Sequence, residues 1–154
     1  MRRVAITGLG VISAIGTGTS AFFNALLSAH SGIRAVDIPF PTGTESVLAG
    51  AIDFDPDPHF PRARLLTMDR VSQFALVAGR EAMSQAGLGD LTAVHNSFAA
   101  ERFGVSLGTG SGGASSTDVA YTALLEQKVA RLRPMADPAS RSFTQEIEKQ
   151  LALP

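Results

Sequence analysis

The chain has 154 residues, 45% of them hydrophobic, which is enough for one domain with a real core. Its 13 Lys and Arg side chains nearly cancel its 14 Asp and Glu, so no whole-protein field favours nucleic acid or an anionic membrane. It contains no cysteine, which excludes disulfides, thiolate metal sites and a thiol nucleophile within these residues.

Arg2-Arg3 resembles the charged start of a signal peptide, but Gly8, Gly10, Gly16 and Gly18 cut the apolar run that would have to follow. No stretch approaches the roughly 20 apolar residues of a membrane helix. The expectation is a cytoplasmic protein.

Val4 to Thr7 reads as a strand buried on both faces, broken by the glycines that follow. A helix is predicted to start near Thr19-Ser20, which are good caps, with Phe22, Phe23, Leu26 and Leu27 on one face and Ser31-Gly32 ending it. Asp37 to Thr44 is turn-rich, and Val47 to Ile52 is a weaker strand. Asp53-Phe54-Asp55-Pro56-Asp57-Pro58 cannot be regular, because proline removes donors and restricts the residue before it.

The spacing of Val71, Phe74, Ala75, Ala78 and Ala82 predicts a helix from about Met68 to Ala86, with Gly87 as its C-terminal cap. Phe103 to Leu107 reads as a buried strand. A helix from about Ser115 to Leu132 follows, stopped by Pro134. Phe143, Ile147 and Leu151, four apart, predict a short amphipathic helix in the tail, with Ser142 and Gln145 as a capping box. The order β-α-β-α-β-α argues for an α/β fold with helices covering a largely parallel sheet.

Two glycine loops resemble dinucleotide fingerprints. In Gly8-x-Gly10-x-x-Ser13 the third glycine is missing, and Gly16 and Gly18 keep a helix N-terminus from opening at the loop. A turn needing positive φ explains these glycines more simply. Gly108-x-Gly110-x-x-Gly113 has a strand before it and a helix after, but no strand ending in an acidic residue comes next. Glycine there also lets backbone approach a ligand or subunit closely.

Gly104-Val105-Ser106-Leu107-Gly108 spells a nucleophile elbow, yet all three histidines (His30, His59 and His95) precede the serine, against the order that chemistry requires. The histidines have no metal-ligand spacing, and the prolines between Asp53, Asp55 and Asp57 rule out a calcium loop.

Three stretches carry a resemblance. The first is Arg3-Val4-Ala5-Ile6-Thr7-Gly8-Leu9-Gly10-Val11-Ile12-Ser13 with Gly16. The second is Ser31-Gly32-Ile33. The third is Met68-Asp69-Arg70-Val71-Ser72-Gln73-Phe74-Ala75-Leu76 with Ala86-Gly87-Leu88, then Arg102 to Gly113. In that order and spacing, over residues 1 to about 134, they resemble the N-terminal part of the β-ketoacyl-acyl-carrier-protein synthases, most like the type II elongating condensing enzymes.

The resemblance implies a thiolase-like fold in α-β-α-β-α layers, of which residues 1–134 form an incomplete N-terminal half. It implies a homodimer, acyl-carrier protein as partner, and no cofactor, nucleic acid or membrane. The family's reaction is a decarboxylating Claisen condensation on an enzyme cysteine, assisted by two histidines. Those residues lie downstream in the family, so none can be placed here. Residues 135–154 do not resemble the family's continuation. The chain reads as an N-terminal piece with an unrelated tail, inactive in condensation by itself.

By resemblance, Gly108, Gly110, Ser111 and Gly112 belong to a loop at the end of the acyl pocket near the dimer interface. A small Ser111 would leave room for longer acyl chains. Arg62, Arg64 and Arg70, around the start of the Met68 helix, would face the acidic carrier protein, although Leu66 and Thr67 stand where basic residues are common in the family. Two other functions compete: an NAD(P)-dependent Rossmann-type oxidoreductase, and a non-catalytic chain-length or interaction partner of an active synthase.

Overall fold

The computed structural model describes residues 3–40, 43–89, 102 and 104–125. The chain divides into two units, Met1–Asp55 with Val77–Ala86, and Pro56–Leu76 with Gly87–Pro154.

The first unit opens with an irregular segment over residues 3–11. Two-residue strands β1 (Ile12–Ser13) and β2 (Gly16–Thr17) then pair antiparallel. Ser13 closes their turn, its hydroxyl donating to the Gly16 carbonyl (3.0 Å) and accepting from the Ile15 N–H (3.3 Å). Helix α1 (Thr19–Leu27) follows, and the Ser28 hydroxyl donates back to the carbonyls of Asn24 (3.0 Å) and Ala25 (3.1 Å), ending it. Strands β3 (Arg34–Phe40) and β4 (Gly43–Ala49) form an antiparallel hairpin, registered from Arg34 opposite Ala49 to Phe40 opposite Gly43.

The second unit holds the single turn α2 (Arg62–Leu65) and helix α4 (Ala114–Leu125). Between them in sequence lies α3 (Arg70–Gln85), whose N-terminal half belongs to this unit and whose C-terminal half belongs to the first. Phe60, Met68 and Leu76 are the buried apolar side chains of the second unit among the described residues, and Ser72 and Gln73 are buried beside them on α3. The Gln73 amide is satisfied by donating to the Met68 carbonyl (3.2 Å), as a buried polar group must be.

Several expectations hold. Helices stand at 19–27, 70–85 and 114–125, residues 53–58 are irregular, and Gly87 takes the left-handed φ of 74° expected after α3.

Others fail for physical reasons. Residues 4–7 are not a strand. Val4 and Ile6 are 93% and 81% exposed, and no described segment supplies the ladder partners an apolar strand needs. Residues 104–107 are likewise irregular, with Val105 and Leu107 exposed; Phe103 lies outside the described residues.

Of the turn-rich span 37–44, residues 37–40 and 43–44 instead lie in β3 and β4, and residues 41–42 fall outside the described residues. Asp37, Ile38 and Pro39 pair with Ser46, Glu45 and Thr44, because cross-strand pairing overrode the weak local turn signal. The second strand accordingly starts at Gly43 rather than Val47. Thr19 does not cap α1. Gly18 takes the cap position, and α1 ends at Leu27, before the expected Ser31-Gly32. Phe22 is half-buried, but Phe23, Leu26 and Leu27 are exposed, so the predicted apolar face is mostly uncovered in the described structure.

The described pairings are antiparallel and two-stranded, not the parallel sheet expected. The described residues form helices and small sheets. The remainder of the last predicted helix, the tail helix with its capping box, and His95 lie outside the described residues. Among the described residues, no helix is long and apolar enough to cross a membrane.

Candidate functional site

The N-terminal glycine turn lies directly on the C-terminal half of α3. A Cβ on Gly10 would fall on the Ala78 carbonyl oxygen, and one on Gly8 on the Ala82 carbonyl oxygen. Ala78, Ala82 and Ala86, spaced four apart, form a ridge of small residues that lets this backbone in. Neither Gly8 nor Gly10 has a positive φ. The expectation of positive φ is therefore corrected for Gly8 and Gly10, which serve close approach, and holds at Gly16 (φ 155°) and Gly18 (φ 89°).

Two α3 side chains fasten the turn. Gln85 Oε1 accepts from the Leu9 N–H (2.6 Å), and Glu81 Oε2 accepts from the Val11 N–H (3.1 Å). Glu81 Oε1 accepts from both the N–H (2.6 Å) and the hydroxyl (2.9 Å) of Thr19, the first residue of α1. Gly18 has no side chain to cap α1, so Glu81 supplies the missing acceptor at a helix N-terminus. Burial acts to raise the Glu81 pKa, but the Thr19 and Val11 amides and the Thr19 hydroxyl outweigh it and hold the carboxyl below its ordinary value.

The second unit repeats this arrangement. Asp69 is 4% exposed and immediately precedes α3. Its Oδ1 accepts from the Val71 N–H (3.0 Å) and its carbonyl from the Gln73 N–H (3.1 Å), the pattern of an N-cap. Its Oδ2 accepts from the N–H (3.0 Å) and the hydroxyl (2.5 Å) of Ser116 in the first turn of α4. One carboxylate thus caps two helices. Burial pushes the Asp69 pKa up, but the Ser116 hydroxyl and the Val71 and Ser116 amides hold it below the ordinary carboxylate value.

Gly108, Gly110, Ser111 and Gly112 form an exposed loop that runs into buried Gly113 and α4. A Cβ on Gly108 or Gly110 would meet nothing within 4 Å. Arg62 and Arg64 sit on α2, exposed and half-buried respectively. Arg70 opens α3 exposed, its guanidinium 5.1 Å from the Phe74 ring centroid. All seven sequence-derived site residues belong to the second unit, and Asp69 lies in sequence next to Arg70. Among the described residues no cluster of three metal-ligating groups exists, and His30 and His59 are exposed.

Neither glycine loop is arranged for a dinucleotide. The amides of Leu9, Val11 and Thr19 are already bonded to Gln85 and Glu81, and a carboxylate occupies the start of both α1 and α4. Asp69 and Glu81 were not singled out in the sequence. An aspartate just ahead of an amphipathic helix is a legible cap signal, whereas a glutamate within a helix is not.

A family model described as "Beta-ketoacyl synthase, N-terminal domain" matches residues 1–145. Among curated proteins, the tetracenomycin polyketide synthase ketoacyl synthase alpha subunit of Streptomyces glaucescens is 39% identical over 127 residues, 81% of this chain and 28% of that protein. Nodulation protein E of Rhizobium meliloti (strain 1021) is 36% identical over 124 residues, 80% of this chain and 30% of that protein. The 3-oxoacyl-[acyl-carrier-protein] synthase 2 of Coxiella burnetii is 34% identical over 143 residues, 90% of this chain and 33% of that protein. The chain spans about a third of the length of these relatives.

Proposed function

The chain belongs to the β-ketoacyl synthase family, and on that premise we propose that it supplies the N-terminal scaffold of a 3-oxoacyl-[acyl-carrier-protein] synthase, within a layered αβαβα homodimer. The observation that carries the reading is the span of the family match, which covers the exposed Gly108–Gly112 loop and α4 together.

In this reading a cysteine thiolate takes an acyl group from a carrier-protein thioester, releasing the carrier thiol. Malonyl-carrier protein then loses CO2. The resulting carbanion attacks the enzyme thioester, forms the new C–C bond and expels the thiolate. A low-pKa thiolate suits the first and last steps, and fixed hydrogen-bond donors suit the developing negative charge.

The 154 residues contain no cysteine, so by themselves they offer no thiolate for the acyl-transfer and condensation steps. Their part is structural and recognitive. The Gly108–Gly112 loop, with the small Ser111, borders the far end of the acyl site. Arg62, Arg64 and Arg70 face acidic carrier protein, since opposite charge steers encounter and fixes register.

The test has two arms. The purified chain, given acyl- and malonyl-carrier protein, is expected to transfer no acyl group. Residues 1–134, exchanged for the matching part of the Coxiella burnetii relative, are expected to sustain condensation. Acyl transfer by the isolated chain, or a folded but inactive exchange protein, would refute the reading.

A further inference from the structure

We propose that Asp69 is the positioning residue of the 108–113 loop: by clamping the start of α4 it fixes where that loop lies. The consequence for acyl length rests on the condensing-enzyme reading; the clamp does not.

The loop has little else to hold it. Four of its six residues are glycine, the residue with the most backbone freedom to lose. Residues 108–112 are exposed, with open space around Gly108 and Gly110. Among the described residues helix α4 packs only partly, with Ala120, Ala123 and Leu124 half-buried. None of its described side chains is buried, and Val119, Tyr121 and Leu125 are 69%, 54% and 81% exposed.

What remains is polar. Gly113 is buried, and its carbonyl accepts from the Thr117 N–H (2.9 Å). One turn into α4, both donors of Ser116 converge on Asp69 Oδ2. Asp69 is itself fixed, because its Oδ1 and carbonyl are engaged by the first turn of α3. A buried carboxylate is costly unless every oxygen is satisfied. Here the satisfaction comes from the two elements it joins, and charge-assisted bonds are the stronger kind.

The segment bearing Arg70 and the segment bearing Ser111 are therefore tied through one side chain. In the proposed enzyme, that tie sets the far end of the acyl site.

The decisive variant is Asp69→Asn. It keeps an acceptor for the Val71 N–H and turns an amide donor toward Ser116, whose hydroxyl can rotate to accept but whose N–H loses its acceptor, so it loosens α4 and spares α3. In the full 154-residue chain, amide exchange at Ser116 and Thr117 is expected to accelerate roughly tenfold or more. Backbone order parameters at 108–112 are expected to fall. Amides of residues 76–85 are expected to stay within about twofold of the parent. Ser116→Ala shows the same pattern more weakly, and Ser116→Thr, which keeps the hydroxyl, restores the parent pattern.

In the exchange protein with the Coxiella burnetii relative, Asp69→Asn is expected to change KM across acyl lengths more than kcat. Unchanged exchange at 116–117, or acceleration spread evenly over the described residues, would overturn the clamp. Faster exchange with an unaltered acyl-length profile would reduce Asp69 to a helix cap and overturn the positioning role. An inactive unmutated exchange protein would refute the condensing reading alone, and the exchange data would still decide the clamp.

Discussion

Gly10→Ala probes the contact that seats the N-terminal turn on α3. The added methyl would fall on the Ala78 carbonyl oxygen, with the Ala78 carbonyl carbon only 2.7 Å away. Both atoms are helix backbone, so no rotamer change relieves the overlap. Turn and helix must part by on the order of 1 Å to restore ordinary contact. The bonds on either side of Gly10 feel this differently. Leu9 N–H to Gln85 Oε1 is short at 2.6 Å and can lengthen. Val11 N–H to Glu81 Oε2 is already 3.1 Å, and Glu81 cannot follow Val11 without releasing Thr19. One charge-assisted bond lost is about 1.5–3 kcal/mol, and overpacking adds about 1–3 kcal/mol. Reduced unfolded-state entropy returns about 0.4–1 kcal/mol. The net expectation is a loss of about 2–5 kcal/mol, a large part of any domain's stability. Gly110→Ala is the control. It has open space and no positive φ, and should lie within about 0.5 kcal/mol of the parent. The chain has no tryptophan, so urea unfolding is best followed by far-UV circular dichroism, with amide exchange at Leu9 and Val11 as the local probe. If Gly10→Ala unfolds like Gly110→Ala, the close-approach argument is wrong.

Two further outcomes follow from the charges. Asp69 and Glu81 both have lowered folded-state pKa values, so the unfolded chain binds more protons near its own carboxylate pKa. Their stabilisation is fully present above that value, roughly 4, and is lost as pH falls through the folded values. Acid titration followed by circular dichroism should show it, and Glu81→Gln should flatten the fall; an unchanged acid limb in that variant would contradict the clamp at Thr19. For carrier docking, Arg62→Glu with Arg64→Glu should weaken acyl-carrier-protein binding by about tenfold or more at low salt. A calorimetric titration measures it, and unaltered affinity would end the docking proposal.

Local signals were legible where one residue decides the outcome. Gly87 closes α3 because only a left-handed residue fits there, and prolines keep 53–58 irregular. The 3.6-residue period placed α3 to within two residues at each boundary. Misreadings arose where the deciding partner is distant. Val4 and Ile6 have strand chemistry but no described ladder partner, so pattern did not become strand. Residues 37–40 carry proline and aspartate yet pair along the hairpin. Thr19 has cap chemistry, but its hydroxyl donates to Glu81 rather than accepting from its own helix. For the candidate site, resemblance points to the loop and the arginines; the cap role of Asp69 is legible from its place before α3, whereas its tie to Ser116 and the role of Glu81 rest on long-range hydrogen bonds.

Those two carboxylates also explain why the glycine loops resemble phosphate cradles without being arranged as such. A helix that starts after glycine has free N-terminal amides and no side chain to satisfy them, which is the arrangement that binds phosphate. Helix α1 starts after Gly18 and α4 after Gly113. In each case the anion comes from within the chain, 62 residues away for Thr19 and 47 for Ser116. A phosphate entering either site would have to displace a carboxylate or sit beside it, and like charges at that range repel strongly where solvent is partly excluded. Gly8 and Gly10, which mimic a nucleotide motif, therefore serve close packing, and Glu81 and Asp69 supply the anions at the two helix starts. The stretch from Gly108 to Gly112 stays exposed beside the second of these carboxylate-held helix starts.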